Sequence, residues 1–300
     1  MSLPTERWSG GTFAGGASGV LSRRIVVKLG TNVIMRGDGR VALGLLCGLV
    51  ESIAALRELG HQILVVSSGS IGLGMERLGM STRPSDLASI QACAATGQSR
   101  LMSIYEDAFD RLGCRTAQVL LTEDDFRSPV RHANLKRTLE ALLSLGVIPV
   151  INENDTVSVA ELDVPSPEAA RFRLFGDNDK LSALLSTHVG ADLLVLLSDV
   201  DGLFDRSPSD PGARLIARVD RIDAEVLAHA HGGNGRGRGG MLSKLDAARM
   251  AQEAGQTVVI ANGRTAQVLE RVVAGEPVGT RFPGIALEPL PTAVVADEVH

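Results

Sequence analysis

Short runs of apolar residues recur along the chain from Arg23 onward, and longer stretches of mixed apolar and polar residues separate them. The runs predict six strands, at residues 25–29, 63–66, 117–121, 147–151, 193–197 and 257–260. Most positions within the runs are apolar, as expected for strands that are covered on both faces of a sheet. Strands that alternate with helices in this way indicate an α/β fold with a mostly parallel central sheet.

The mixed stretches predict helices that end on a glycine. Apolar residues three and four positions apart mark helices at residues 43–59, 135–145, 179–189 and 241–254. These four stretches are followed by Gly60, Gly146, Gly190 and Gly255. Glycine readily adopts the left-handed conformation that ends many helices, so the glycines support the same boundaries.

Three regions fall outside this alternation and set the domain limits. Residues 1–22 are rich in glycine and serine and lack the pattern of a secretory signal, so we expect a disordered leader. Residues 163–174 contain two prolines and mixed charge, which predicts an exposed loop or hairpin insertion. We expect one domain over residues 23–284 and a short tail over residues 285–300.

Composition and charge exclude several classes of protein. The formal net charge of -5 argues against the broad basic surface that nucleic acid requires. The three cysteines show no paired spacing, which argues against a disulfide framework or a zinc site and favours the cytoplasm. No apolar run is long enough to span a bilayer, so we expect no membrane partner.

A lysine interrupts the first predicted strand. Lys28 lies between two apolar residues, and Gly30 follows it closely. A buried lysine needs an anionic partner, and a glycine turn lets backbone N–H groups approach phosphate oxygens, so the segment suggests an anion site. The alternative is an edge-strand lysine that reaches solvent.

Glycines and hydroxyl residues follow the second predicted strand, at residues 67–74. Such a turn into a helix is typical of an anion-binding nest, although an ordinary turn has a similar composition. The segment lacks the Walker pattern of a P-loop.

Amides and carboxylates are concentrated at residues 152–156 and 176–180. They suit the charged ends of an amino-acid substrate and the orientation of lysines. A calcium-binding loop at residues 177–179 is the competing interpretation, but its other ligands are missing.

The fourth cluster combines Ser198 and Asp199, after the fifth strand, with the glycine-rich segment 237–244. A glycine-rich loop that enters a helix, with Lys244 in its first turn, suits nucleotide phosphates. A flexible linker is the alternative for residues 232–240, and their Arg-Gly content suggests RNA contact more weakly.

Taken in order, these motifs resemble the amino acid kinase family over about residues 25–282. The Asn-Glu-Asn-Asp motif at 152–155 and the Gly-Asp-Asn-Asp motif at 176–179 are the most specific part of the resemblance. The Gly-Gln-Ser segment at 97–99 favours the members that phosphorylate glutamate. The resemblance implies a three-layer αβα sandwich around a mostly parallel sheet, with glutamate on the N-terminal half and ATP on the C-terminal half.

The resemblance also implies roles for individual residues. Lys28 and Lys244 would neutralise the transferring phosphoryl group, and Asp179 would hold both lysines. Glutamate would be bound by Ser68, Asp155 and Asn178. The ATP site would consist of Lys28, Ser198, Asp199, Gly239, Gly240, Met241, Leu242, Ser243 and Lys244. Mg²⁺ would bridge the phosphates, with no separate metal site in the protein.

The implied reaction is attack of the glutamate side-chain carboxylate on the γ-phosphorus of MgATP, which gives γ-glutamyl phosphate and ADP and begins proline biosynthesis. A cytoplasmic homo-oligomer, either dimer or tetramer, with proline as feedback inhibitor is expected on the same basis. We expect no C-terminal PUA domain of the kind that many bacterial members carry. Arg238 stands where a small hydroxyl residue is common.

Two alternatives stay open at this point. The chain could be another kinase of the same fold that acts on aspartate, acetylglutamate, carbamate or uridylate, although the motifs at 152–155 and 176–179 disfavour this. It could also be a non-catalytic sensor of nucleotide or proline, against which the presence of both Lys28 and Lys244 argues. An RNA-binding scaffold is disfavoured by the negative net charge.

Overall fold

The computed structural model describes residues 23–157, 178–230 and 240–285. Seven strands form one sheet in these ranges: β1 Arg24–Leu29, β2 Gln62–Ser67, β3 Arg115–Leu121, β4 Val147–Glu153, β5 Leu193–Ser198, β6 Thr257–Asn262 and β7 Thr280–Phe282. All six predicted strands are confirmed, and β7 is additional. The predicted leader, the insertion 163–174 and nearly all of the tail lie outside the described residues, as do Asp177, Arg238 and Gly239.

The helices in the described ranges connect and cover these strands. They are α1 Thr31–Ile34, α2 Leu43–Glu58, α3 Ser70–Arg77, α4 Leu87–Asp110, α5 Glu123–Arg127, α6 Pro129–Ser144, α7 Asn178–His188, α8 Ala224–Ala230, α9 Met241–Glu253 and α10 Val268–Val273. The four glycines that end the predicted helices all have positive φ angles, between 61° and 90°. The prediction of these helix ends is therefore confirmed. None of the helices in the described ranges is both long and apolar enough to cross a bilayer.

The sheet has the strand order β3-β4-β2-β1-β5-β6-β7. The paired strands from β3 to β6 run parallel, and β7 is antiparallel to β6. β1 lies in the middle of the sheet, so the interpretation of Lys28 as an edge-strand residue is wrong. The carboxyl ends of β4, β2, β1 and β5 meet at one edge of the sheet, where ligands collect in open α/β folds.

Alternate residues of β1 enter two separate cores, one on each face of the sheet. Val27 packs with residues of α2, α4 and α10, whereas Val26 packs with residues of α6, α7 and α9. This arrangement is the three-layer sandwich that the family resemblance implies. Because side chains alternate along a strand, Lys28 lies on the same face as Val26, toward α7 and α9.

The helix α4 was not predicted, although it has 24 residues. Its apolar pattern is diluted by polar residues and by Gly97, which lowers the helical signal. The glycine is needed for packing, since a Cβ atom there would lie 1.8 Å from the carbonyl oxygen of Ser70. A Cβ at Gly74 of α3 would likewise lie 1.8 Å from the carbonyl oxygen of Cys93. The two glycines therefore allow α3 and α4 to pack with their backbones in contact.

Candidate active site

Two buried lysines share one buried aspartate at the edge where the strands end. Lys28 Nζ lies 2.5 Å from Asp179 Oδ1, and Lys244 Nζ lies 3.0 Å from Asp179 Oδ2. Asp179 is fully buried, and the lysines are 3% and 5% exposed. We call these residues the lysine–aspartate cluster.

Three elements that are distant in sequence supply this cluster. Lys28 comes from β1, while Asp179 and Lys244 come from the first turns of α7 and α9. Gly30 follows β1, and its N–H donates to the Leu197 carbonyl at 3.2 Å. A Cβ there would lie 3.1 Å from the same oxygen, so a larger residue would push the end of β1 away from β5.

The electrostatics of the cluster are set by Asp179. Burial by itself raises the pKa of this carboxyl, but the neighbouring charges and hydrogen bonds of Lys28 and Lys244 outweigh burial and lower the pKa below its ordinary value. Asp179 is therefore ionised at neutral pH. With two ammonium groups and one carboxylate, the cluster carries a net positive charge, which suits an anionic ligand.

A chain of three side-chain amides lies beside the cluster. Asn178 Nδ2 donates to Asn152 Oδ1 at 2.9 Å, and Asn152 Nδ2 donates to Gln98 Oε1 at 2.8 Å. We call Gln98, Asn152 and Asn178 the amide chain. It connects α4, the end of β4 and the start of α7, and Asn152 within it is only 2% exposed.

The residues predicted to bind glutamate lie together around the amide chain. Asn178 Nδ2 also lies 3.0 Å from Ser68 Oγ, and Ser70 Oγ donates to Asp155 Oδ2 at 3.2 Å. Gly69, the N-cap of α3, has a φ of 98°, which turns the chain sharply from β2 into the helix. Ser68, Asp155 and Asn178 are therefore brought to one place, beside the N-terminus of α3.

The residues predicted to bind ATP form two groups. Ser198 ends β5 and donates to Asp199 Oδ1 at 3.2 Å, and Asn32 Nδ2 donates to Asp199 Oδ2 at 2.9 Å. Gly240 is the exposed N-cap of α9 and provides no capping side chain, so the N–H groups of the first turn suit an anion. The first turn of α9 contains four more of the predicted residues, Met241, Leu242, Ser243 and Lys244, while Lys28 lies on β1.

Gln98, Asn32 and Asn152 extend the network of predicted site residues, although the sequence indicates no individual role for any of the three. Asn152 belongs to a polar motif, and Gln98 belongs to the segment that carried part of the resemblance. For Asn32, the only indication in the sequence was its position two residues after Gly30. Their hydrogen bonds join residues 26 to 167 positions apart, which residue spacing does not reveal.

Comparison with known proteins places this arrangement in a family. Residues 23–262 match the amino acid kinase family. The chain is 47% identical over 260 residues to glutamate 5-kinase of Gloeobacter violaceus, covering 86% of this chain and 68% of that protein. It is 41% identical over 263 residues to glutamate 5-kinase of Lactiplantibacillus plantarum, covering 87% of this chain and 97% of that protein.

Solved structures of more distant proteins have the same fold. UMP kinase from Bacillus anthracis aligns with a TM-score of 0.56 and 15% identity, over 88% of this chain and 97% of that chain. Carbamate kinase from Giardia lamblia bound to AMP-PNP aligns with a TM-score of 0.60 and 17% identity, over 87% of this chain and 98% of that chain. At such low identity these structures support the fold and carry no argument about the substrate.

Proposed function

The chain belongs to the amino acid kinase family and, within it, to the glutamate 5-kinases, and from this premise we propose how its residues phosphorylate L-glutamate with ATP. A side-chain carboxylate oxygen of glutamate forms a bond to the γ-phosphorus, and the bond from that phosphorus to the bridging oxygen of ADP breaks. The products are γ-glutamyl phosphate and ADP. No protein base is needed, because the carboxylate is already ionised at neutral pH.

The observation that carries this proposal is the lysine–aspartate cluster. The transferring phosphoryl group is negatively charged, so its transfer is accelerated by fixed positive charge in a site that excludes water. Lys28 and Lys244 supply that charge, and Asp179 holds both ammonium groups in position. Each ammonium can donate to phosphoryl oxygens as well as to Asp179.

Glutamate binds, in this proposal, around Ser68, Asp155 and Asn178. The α-ammonium group needs acceptors, which the Asp155 carboxylate and the Asn178 carbonyl oxygen can provide. The α-carboxylate needs donors, which the N–H groups at the start of α3 can provide. Because Asn178 belongs to the amide chain and directly precedes Asp179 on α7, the substrate site and the lysine–aspartate cluster are structurally connected.

ATP binds, in this proposal, at the C-terminal half of residues 23–284, and glutamate binds mainly at the N-terminal half. Ser198 and Asp199 lie on one side of the nucleotide, and residues 239–244 contact its phosphates. The N-terminus of α9 attracts phosphate through its N–H groups and the helix dipole. Lys28 and Lys244 then belong both to the ATP site and to the catalytic cluster.

Mg²⁺ is part of the proposed substrate, MgATP. In the described ranges, no group of three or more acidic, histidine or cysteine side chains is arranged to hold a metal ion. A magnesium ion that is held mainly by phosphate oxygens and water requires no such group. The described residues are therefore compatible with Mg²⁺ that bridges the phosphates.

We extend the proposal to the setting of the enzyme, on the family resemblance. The product feeds proline biosynthesis, proline acts as feedback inhibitor, and the enzyme is a dimer or tetramer in the cytoplasm. The three cysteines, Cys47, Cys93 and Cys114, are free thiols, which suits a reducing compartment.

The test is ADP release from MgATP with L-glutamate, L-aspartate, N-acetylglutamate and UMP offered separately, with hydroxylamine present to trap an acyl phosphate. We expect ADP release with glutamate alone, together with γ-glutamyl hydroxamate. Activity with only another acceptor would support a kinase that acts on a substrate other than glutamate. ATP binding without turnover on any acceptor would instead support a nucleotide sensor.

A further inference from the structure

We propose that Gln98 is a positioning residue that holds Asn152 in place and, through Asn152, keeps Asn178 positioned for glutamate. The inference rests on the proposed function, because it concerns the substrate site of that reaction. Gln98 lies on α4 and contacts Asn152, while Asn178 lies at the other end of the amide chain.

Two backbone groups determine how the amides are turned. The N–H of Glu153 donates to Asn152 Oδ1 at 2.9 Å, and Asn178 Nδ2 donates to the carbonyl oxygen of Ser67 at 2.9 Å. A backbone N–H can only donate and a carbonyl can only accept, so neither asparagine can be turned over without losing these bonds. Asn152 must therefore present its NH₂ group to Gln98, which accepts through Oε1.

The same constraints turn the carbonyl oxygen of Asn178 away from Ser67, Ser68 and Asn152. This oxygen is buried, and no group in the described residues donates a hydrogen bond to it. An amide oxygen in that situation needs a donor, and the α-ammonium of the proposed substrate is one. The orientation of Asn178 thus decides whether the site offers the substrate an acceptor or a second donor.

The position of Gln98 is itself restrained by the packing of its helix. Gly97, which directly precedes Gln98, brings α4 against the carbonyl oxygen of Ser70. This contact sets the distance between α4 and the substrate site. Ser70 Oγ, which bonds Asp155, lies 3.4 Å from Asn152 Nδ2. Ser70 is thus a more distant acceptor for this buried NH₂ group than Gln98.

Loss of the Gln98 oxygen therefore weakens the support of Asn152 without removing any atom that touches glutamate. In Gln98→Leu we expect the KM for glutamate to rise about tenfold, the effect of one hydrogen bond of ordinary strength, while the KM for MgATP stays unchanged. Gln98→Asn shortens the side chain by one methylene and should cause the same change in KM with a smaller loss of packing. Ser99→Ala is the control, because Ser99 is exposed on the same helix and bonds only Thr96 among the described residues.

The decisive readout is a double-mutant cycle with Asn178→Ala. If Gln98 acts through Asn178, Gln98→Leu has little further effect on the KM for glutamate once Asn178 has lost its amide. A purely structural role would instead lower the melting temperature and give the same change in both backgrounds. That result, or an unchanged KM for glutamate in both Gln98 variants, would overturn the inference.

Calorimetric titration of the wild-type protein with glutamate separates this inference from the proposed function. A wild type that neither binds nor phosphorylates glutamate overturns both. An active wild type with unaffected Gln98 variants overturns the positioning role alone.

Discussion

At the scale of single residues, the site depends on one carboxylate that compensates two buried ammonium groups. Burial of an uncompensated charge is costly, and removing one partner of a buried ion pair typically costs about 3–5 kcal/mol. Lys28 and Lys244 are buried on different elements, and Asp179 is their common partner. The same three residues therefore contribute both to the stability of the fold and to the proposed chemistry of the site.

Lys244→Ala separates these two contributions. Asp179 keeps Lys28 as a partner, so a neutral buried pair remains and the fold should persist. Loss of one positive charge at the transferring phosphoryl group should lower kcat by at least about 100-fold. Steady-state ADP release and the melting temperature, measured on the same preparation, check both statements.

Unchanged turnover in Lys244→Ala would remove Lys244 from the mechanism. The contrasting variant is Asp179→Ala, which leaves two buried ammonium groups without their carboxylate and should destabilise the protein by about 3–5 kcal/mol. Asp246→Asn is the matched control on α9, since its pair with Arg249 is exposed and contributes less than about 1 kcal/mol.

At the scale of elements, the close packing of α3 and α4 determines where the amide chain begins. Gly97 meets the backbone of Ser70, and Gly74 meets the backbone of Cys93. Backbone atoms cannot rotate away as a side chain can, so a methyl group at either position must push the helices apart.

Gly97→Ala should destabilise the protein by about 1–3 kcal/mol, because the added methyl overpacks the contact between the helices. Gly48→Ala is the matched control on α2, where a Cβ meets nothing within 4 Å. There we expect a gain of about 0.5–1 kcal/mol, since alanine is the better helix former. Urea denaturation of both variants measures the difference, and equal stability changes would contradict the packing argument.

Local sequence patterns explain which elements could be predicted, and the packing of α3 and α4 explains why one helix could not. The strands and four helices follow from local patterns, because apolar runs and terminal glycines report burial and chain reversal directly. The helix α4 was missed because Gly97, which weakens a helix in isolation, is needed for a contact with a helix more than 20 residues away. β7 has only three residues and is an edge strand, so its local signal is short.

At the scale of the whole molecule, the stability depends on pH through one buried histidine, His61, and two partly buried histidines, His132 and His188. Burial lowers the pKa of His188 and of His132, and the two rings lie 4.7 Å apart between α7 and α6. Burial also lowers the pKa of His61. A histidine whose pKa is lowered in the folded state binds protons more readily when unfolded. Stability is therefore fully present above the ordinary pKa of about 6.5 and is lost as the pH falls below it.

His188→Gln should make the protein less sensitive to acid. Glutamine cannot be protonated at this position, so the melting temperature should fall less between pH 7.5 and pH 5.5 than in the wild type. His132 and His61 still titrate in the variant, so part of the decrease should remain. An equal decrease in both proteins would show that His188 does not contribute to the pH dependence.

The sequence by itself determined the α/β class, the six long strands, four helix ends and the polar clusters that follow the strands. These features are local, since each depends on apolar periodicity, glycine conformation or the cost of placing polar groups near a core. Its motifs were also specific enough to indicate the family. Only the tertiary structure decided which clusters meet.

Strand order places β1 in the middle of the sheet, and the alternation along that strand turns Lys28 toward α7 and α9. Asp179 and Lys244 therefore meet Lys28 across 151 and 216 positions of sequence, at distances of 2.5 and 3.0 Å from each lysine to the shared carboxylate. The role of Gln98 became visible in the same way, through a hydrogen bond to Asn152, 54 positions away. Contacts of this kind depend on how whole elements pack, and the identity of a residue's neighbours along the chain does not encode them.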